Sequence, residues 1–313
     1  MSDRSGSLML LDSASMYFRA FYALPDSIKS PDGTPVNAAR GFFDMTARLI
    51  REYRPAQIVA TWDNDWRPAF RVEALPSYKA HRVDPDTGGE DVPDGLPAQV
   101  EVIKEVLAAL GIARIGVDGY EADDIIGTLA TRAITMETAV DIVTGDRDLF
   151  QLVDDAHRIR VLYLGSSVTS TDVVDQARLT ERHGATSGSQ YSEMAVLRGD
   201  PSDGLPGVPG VGEKTALKLL EKFGGLDSLI AAYRVADPGL TPTQLQRLGE
   251  AATYLDVAPS VINVVTDIPI KDDATHLPLT PADPGRVSEL AEKWGLNSSI
   301  TRLVEAVTAA PGQ

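Results

Sequence analysis

Nine carboxylates are placed where a folded α/β chain would gather them. Asp12, Asp63 and Asp146 each follow directly on a short apolar run, and a further run at 113–117 leads within a few residues into Glu121, Asp123 and Asp124. Asp148 lies two residues beyond Asp146, and Asp200 and Asp203 follow a helical segment. Any one of these acids reads equally well as a helix cap or a turn residue. As a set they do not, because three fall in one helix start and two in the tight loop Thr144-Gly-Asp-Arg-Asp148. A helix dipole offsets only ~0.3–1 kcal/mol of repulsion for each. Crowded carboxylates raise one another's pKa unless a cation compensates. Donors that are all oxygen suit two or three hard divalent ions, magnesium or manganese.

The charge balance agrees with a local concentration of acid. Asp and Glu number 45 against 29 Lys and Arg, a net charge of -16, and the nine acids account for more than half of that excess. A phosphate-bearing ligand is therefore not excluded by the overall sign. Beside the acids, Asn64–Arg82 carries Arg67, Arg71, Lys79 and Arg82, with Tyr78 next to Lys79. A solvated helix face is the plainer reading of such a charge run. Next to a metal site the same residues suit phosphate clamping and base stacking. The segment Gly204–Thr215 contains Gly207, Gly210 and Gly212 followed by Glu213 and Lys214. It fails as a nucleotide phosphate loop, since the last glycine is not followed directly by Lys. It reads instead as the hairpin of a helix–hairpin–helix element, whose glycines admit a DNA phosphate close to the backbone. Lys214, Lys218 and Lys222 fall on one helical face beyond it.

Other chemistries are excluded or unsupported. With no cysteine in the chain, a thiol nucleophile and a cysteine-ligated metal are ruled out. His81, His157, His183 and His276 do not form a spaced ligand set, and no nucleophile elbow occurs. No signal peptide fits the first residues, and no apolar run reaches the ~20 residues of a membrane span. The expectation is a cytoplasmic, nucleoid-associated monomer without membrane contact. Its start at Met1 and its polar end suggest a free-standing protein.

The elements that must position the acids read as short strands alternating with helices. Strands are expected at 7–11, 56–62, 113–117, 139–145 and 159–164. Helices are expected at Val36–Tyr53, with a Thr34 cap and Pro35 in its first turn, at Pro97–Leu110, closed by Gly111, and at Asp123–Ala133. This pattern gives an α/β fold with a mostly parallel central sheet flanked by helices. Ligand sites in such sheets lie beyond the carboxyl ends of the strands, which is where the acids fall. Residues 64–96 interrupt the alternation as a long functional connection. The second half reads as helical, at Ser189–Arg198, Lys214–Phe223, Gln244–Tyr254 and Arg286–Ala310. The expected division is an α/β domain at 1–180 and a helical DNA-binding part at 181–313, with the helix–hairpin–helix near 190–225.

With these stretches in view the chain resembles the bacterial 5′ nuclease family, the 5′→3′ exonuclease or flap endonuclease domain of DNA polymerase I and its free-standing and phage homologues. The resemblance is carried by LLDSASMYFRAFYAL, ATWDNDWRPAFRVEALPSYKAHR, GYEADD, VTGDRDLFQLV and GDPSDGLPGVPGVGEKTALKLL, in family order. It implies that Asp12, Asp63, Glu121, Asp123, Asp124, Asp146, Asp148, Asp200 and Asp203 are metal-site acids. It implies that Arg19, Lys79 and Arg82 hold the scissile phosphate or the 5′ strand, and that Tyr78 stacks on a base. Arg71 and the hairpin residues Gly207, Gly210, Gly212, Lys214, Thr215 and Lys218 are then DNA contacts. A potassium ion is implied at the carbonyls of Val208 and Val211. Residues 64–96 correspond to the arch or clamp that passes single-stranded 5′ ends. Ser13 and Trp62 depart from the family's usual glycine and phenylalanine. The implied activity is two-metal hydrolysis of DNA near a 5′ end, flap or nick, in replication and repair.

Two rivals are weaker. A DNA-structure-binding protein without catalysis has no use for so much negative charge beside phosphate. An aspartyl-phosphate phosphatase built on Asp12 would want a second Asp where Ala14 stands.

Overall fold

The computed structural model describes residues 4, 6–165, 169–271, 275–278 and 280–309. Six strands form one sheet in the order β3-β2-β1-β4-β5-β6: β1 (Leu8–Asp12), β2 (Gln57–Thr61), β3 (Ala113–Ile115), β4 (Val140–Thr144), β5 (Ile159–Leu164) and β6 (Thr171–Val174). The first five run parallel and β6 returns antiparallel at the edge. The central strands β1 and β4 are buried throughout, as a sheet covered on both faces requires.

Helices α1 (Ser13–Ala23), α2 (Asn37–Tyr53) and α4 (Leu96–Leu110) cover one face. Between α2 and α4 lies the short α3 (Ala69–Ala74). On the opposite face α5 (Ala122–Thr135) packs against β1, β2 and β4. Then come α6 (Gln176–His183), α7 (Gly188–Arg198), α8 (Glu213–Phe223), α9 (Leu226–Arg234), α10 (Pro242–Glu250) and α11 (Ala252–Ile262). The last two helices, α12 (Pro284–Lys293) and α13 (Asn297–Thr308), return to the first face, where α12 packs on α4 and α13 on α2. The chain from 181 onward is therefore not one helical body. Its hairpin region shares a core with α5, whereas its final helices complete the core of α2 and α4.

Several local expectations are corrected. Thr34 does not cap α2: its amide is held by Ser30 and Asp32, and the helix begins at Asn37 with Gln99 Oε1 accepting from Ala38 N (2.7 Å) and Ala39 N (3.3 Å). The capping acceptor comes from α4, far along the chain. The stretches 244–254 and 286–309 each divide into two helices, the second at Gly295, whose φ of +64° ends a helix, and Ala310 of the expected last helix lies outside the described residues.

Arg71 is the tie among these parts. Only 2% exposed, it donates from Nη2 to Asp124 Oδ1 (2.7 Å), from Nη1 to Asp124 Oδ2 (2.8 Å) and to Glu121, and from Nε to the Val261 carbonyl (2.9 Å). It joins α3, the start of α5 and the end of α11. Breaking a buried pair strands the remaining charges, which costs about 3–5 kcal/mol. Arg71→Met is therefore expected to lower the urea unfolding free energy by about that amount, and a change within 0.5 kcal/mol would remove Arg71 from this role.

Candidate active site

The ends of β1, β2 and β4 each deliver an acid because the parallel register stops these central strands side by side. Asp12 closes β1 and caps α1, accepting from Ser15 N (3.1 Å), while Thr144 Oγ1 at the end of β4 donates to its other oxygen (2.6 Å). Asp63 lies just past β2 and accepts from Ala122 N (2.8 Å). Asp146 and Asp148 share a loop beyond β4, tied by Asp148 N to Asp146 Oδ1 (2.9 Å). Asp200 caps the turn 201–203 by accepting from Ser202 N (2.8 Å).

Asp12, Asp63, Glu121, Asp123, Asp146, Asp148 and Asp200 line one cavity of about 840 Å³. Residues scattered over most of the chain thus converge as the strand-end argument requires. Glu90, from the 64–96 segment, adds an acid to this wall that the motif reading missed, and Trp66, Phe18, Arg147 and Arg198 also line it. The signal for Arg147 and Arg198 was their position beside Asp146, Asp148 and Asp200. Glu90 had no local signal.

The other two acids are spent elsewhere. Asp124 is fully buried, held by both terminal nitrogens of Arg71, and its Oδ2 accepts from Glu121 N (3.2 Å) to close the helix cap. It is absent from the cavity wall. Asp203 is likewise off that wall and accepts from Arg82 Nη2 (2.6 Å). Glu121 is the hub of the site: Arg71, Lys79 and the Tyr78 hydroxyl (2.8 Å) all donate to it. Two expectations change accordingly. The Tyr78 ring is only 4% exposed, so it is packed beneath Lys79 and offers no face for a base. Arg71 is enclosed by Phe70, Tyr78 and the acids and does not reach DNA.

The connection 64–96 docks onto the hairpin region. Lys79 N donates to the Asp203 carbonyl (3.0 Å), Ser77 Oγ to the Gly204 carbonyl (2.8 Å) and Arg82 Nη2 to the Ser202 carbonyl (2.9 Å). Gly204, at φ +73°, lies so close that a Cβ there would collide with the Ser77 carbonyl. Lys79 itself holds the left-handed conformation, φ +48°. Arg19 stands beside Gly145 and lines an adjoining recess with Ser15, Phe18 and the exposed Tyr22.

In the hairpin, Gly207 is buried at φ +65° against the Arg198 carbonyl, so it serves the backbone crossing. Val211 N donates to the Val208 carbonyl (3.0 Å). Gly210, Gly212, Lys214, Thr215 and Lys218 are exposed, and Arg247 Nη1 donates to the Gly210 carbonyl (3.2 Å). Lys222 is turned away to the Gly239 carbonyl and the Phe223 ring, leaving Lys214 and Lys218 on the outer face.

Two family models match this chain, the 5′-3′ exonuclease N-terminal resolvase-like domain over residues 7–184 and the 5′-3′ exonuclease C-terminal SAM fold over 186–285. The chain belongs to the 5′-3′ exonuclease family. It is 55% identical over 307 residues to a 5′-3′ exonuclease of Streptomyces coelicolor, covering 96% of this chain and 100% of that protein. A 5′-3′ exonuclease of Mycobacterium tuberculosis is 48% identical, with 97% and 99% covered. DNA polymerase I of Mycobacterium bovis is 38% identical over 98% of this chain but only 32% of its own length. In fold, the chain is similar to the T5 D15 protein co-crystallised with metal ions (TM-score 0.64, 18% identity, 96% and 99% covered). It is also similar to flap endonuclease-1 from Methanococcus jannaschii (TM-score 0.60, 15% identity, 97% and 94% covered).

The electrostatics of this exonuclease-family site bear on metal fit. Burial, with Asp63 and Asp146 as like-charged neighbours, pushes the Asp12 carboxyl from 3.8 up to about 7 despite the Thr144 and Ser15 hydrogen bonds. Burial raises Asp63 too, with Glu121 adding. Asp123 is raised strongly by burial and by Asp12 and Asp146, and Asp148 by burial and by Asp146 and Asp203. Burial opposes the charge on Lys79, but Glu121, Tyr78 and Asp203 outweigh it and hold the ammonium protonated. Among the described residues no three acids or histidines are already drawn into a closed ligand shell. The donor set nevertheless fits hard cations, being all oxygen, crowded and short of positive charge.

A carboxyl whose folded pKa is raised contributes stability below its unfolded pKa and loses it as pH rises through the folded value. For Asp12 that window runs from 3.8 to about 7, and Asp63, Asp123 and Asp148 act in the same direction. Divalent cations held by these acids would compete with those protons. Added manganese is expected to raise the melting temperature more at about pH 8 than at about pH 5. Equal shifts at both, measured by calorimetry, would detach these acids from ion binding.

Proposed function

We propose that this 5′ nuclease hydrolyses DNA phosphodiesters near a 5′ single-stranded end, flap or nick, acting as a monomer in replication and repair. The observation that carries the reading is the convergence of seven strand-end and loop acids on one cavity whose rim holds Lys79 and Arg82. The ions are proposed to be magnesium or manganese, two or three in number, held by Glu121, Asp123, Asp146 and Asp148, with Asp12, Asp63 and Asp200 directly or through water. Asp203 is assigned to positioning Arg82, and Asp124 to positioning Glu121 through Arg71. When bound, such ions supply an activated water and shield the phosphate charge.

The chain's own groups then have separate tasks. The Lys79 ammonium and the Arg82 guanidinium neutralise charge as it builds on the phosphate oxygens. Both are now engaged by carboxylates, Lys79 by Glu121 and Arg82 by Asp203. A cation bound at Glu121 would free Lys79 for the substrate, while Asp203 keeps Arg82 at the rim. Arg19 extends the positive rim. The exposed amides and lysines at the start of α8 grip duplex phosphates without reading sequence. Potassium at the Val208 and Val211 carbonyls belongs to the same proposal and would tighten that grip.

Asp148→Ala is expected to abolish cleavage of a labelled flap duplex in magnesium while leaving the circular dichroism spectrum unchanged, because its loss removes an ion ligand and no core volume. Wild-type turnover by this variant would contradict the assignment. Lys79→Ala is expected to slow single-turnover cleavage about 10²-fold with duplex affinity little changed. A loss of affinity equal to the loss of rate would make Lys79 a docking residue.

A further inference from the structure

Beside the acidic cavity lies a recess of opposite charge. It measures about 200 Å³ and is lined by Arg147, Tyr163, Asp172, Arg178, Arg182 and His183. Arg147 and Tyr163 line the acidic cavity as well, so the two spaces adjoin. The recess lies on the β5–β6 side of the sheet. α6 presents Arg178 and Arg182 one turn apart, the loop beyond β4 presents Arg147, and β6 presents Asp172. In a chain of net charge -16, three arginines around one small space, set against Asp172 within it and Glu181 at its edge, leave a local excess of positive charge.

Asp172 shows what these arginines can hold. One of its oxygens lies 3.1 Å from Arg178 and the other 3.0 Å from Arg182, so a single carboxylate bridges two guanidinium groups. Glu181 takes a further Arg178 nitrogen at 2.7 Å. Arg147 hydrogen-bonds Tyr163 and is otherwise exposed. His183 Nδ1 is buried without a hydrogen-bond partner, its nearest acid oxygen being 3.8 Å away on Glu213. Paired guanidinium forks match the oxygens of a phosphate as they match those of a carboxylate.

We propose that this recess is a phosphate subsite. It takes a backbone phosphodiester of the same DNA whose scissile phosphate lies in the acidic cavity, and Asp172 is the internal anion that this phosphate displaces from Arg182. The proposal rests on the nuclease reading above. It also gives a role to α6, a segment the motifs leave without one.

The test measures affinity for a fluorescent 5′-flap duplex by anisotropy in EDTA over a salt series, with cleavage in magnesium followed separately. Arg182→Ala is expected to weaken binding about tenfold and to reduce the slope of log affinity against log salt by about one. Asp172→Asn, which keeps the shape and removes the competing anion, is expected to tighten binding, a gain that a folding defect would not produce. Arg51→Ala, remote on α2 and paired with Glu305, is the control for lost charge. The subsite is overturned if Arg182→Ala matches that control or if Asp172→Asn weakens binding. It is also overturned in favour of a free-phosphate site if both variants alter competition by inorganic phosphate and leave duplex affinity unchanged. Wild-type protein that binds the duplex with the expected variant effects but never cuts it would support the subsite and overturn the nuclease reading instead.

Discussion

Crowding of carboxylates at the carboxyl edge of the sheet is the constraint around which the rest of the protein is arranged. Parallel pairing of β1, β2 and β4 ends three strands together, and each end delivers an acid. No ordinary packing gain compensates several acids at close range in a partly closed cavity. The protein meets the repulsion with cations of its own, Arg147 and Arg198 on the cavity wall and three more that pair directly with the acids. Arg71 lies beneath the site, and Lys79 and Arg82 reach in from above. The first is permanent, being buried and bidentate. The other two come from a segment that meets the remainder through backbone contacts at 202–204, and under the proposed function an ion at Glu121 would take part in an exchange with Lys79.

That exchange links the parts usually described separately. Lys79 and Arg82 touch Glu121 and Asp203, and their backbone and side chains also touch the turn that opens the hairpin. Under the proposed function, a phosphate at the hairpin and an ion at the acids would therefore act on the same few residues. Gly204 makes the contact close enough for a shift on one side to be felt on the other.

Much of this was legible in the sequence where the signal is local. Five of the six strands follow from short apolar runs, three of them closed directly by Asp, and the exposed face of α8 follows from its lysine spacing. β6 escaped notice because Thr171–Val174 is short and mostly half-buried, so its pattern resembles a loop. For Arg71, Tyr78 and Asp124 the sequence points outward, because their partners lie far along the chain, and only the fold shows Arg71 and Asp124 cancelling inside it. The caps of α2 and the separate destination of α12 and α13 are equally non-local. Local periodicity shows that a helix exists but not which face of the sheet receives it.

If the gathered acids hold divalent cations for phosphodiester cleavage, turnover must follow the ion. A magnesium titration of single-turnover cleavage on a 5′-labelled flap duplex, begun from EDTA-treated protein shown to bind that duplex, tests it most directly. No product is expected in EDTA, and incision near the 5′ junction should rise more steeply than the first power of magnesium before saturating. Cleavage undiminished in EDTA, or no cleavage by DNA-bound protein at saturating magnesium or manganese, would contradict it.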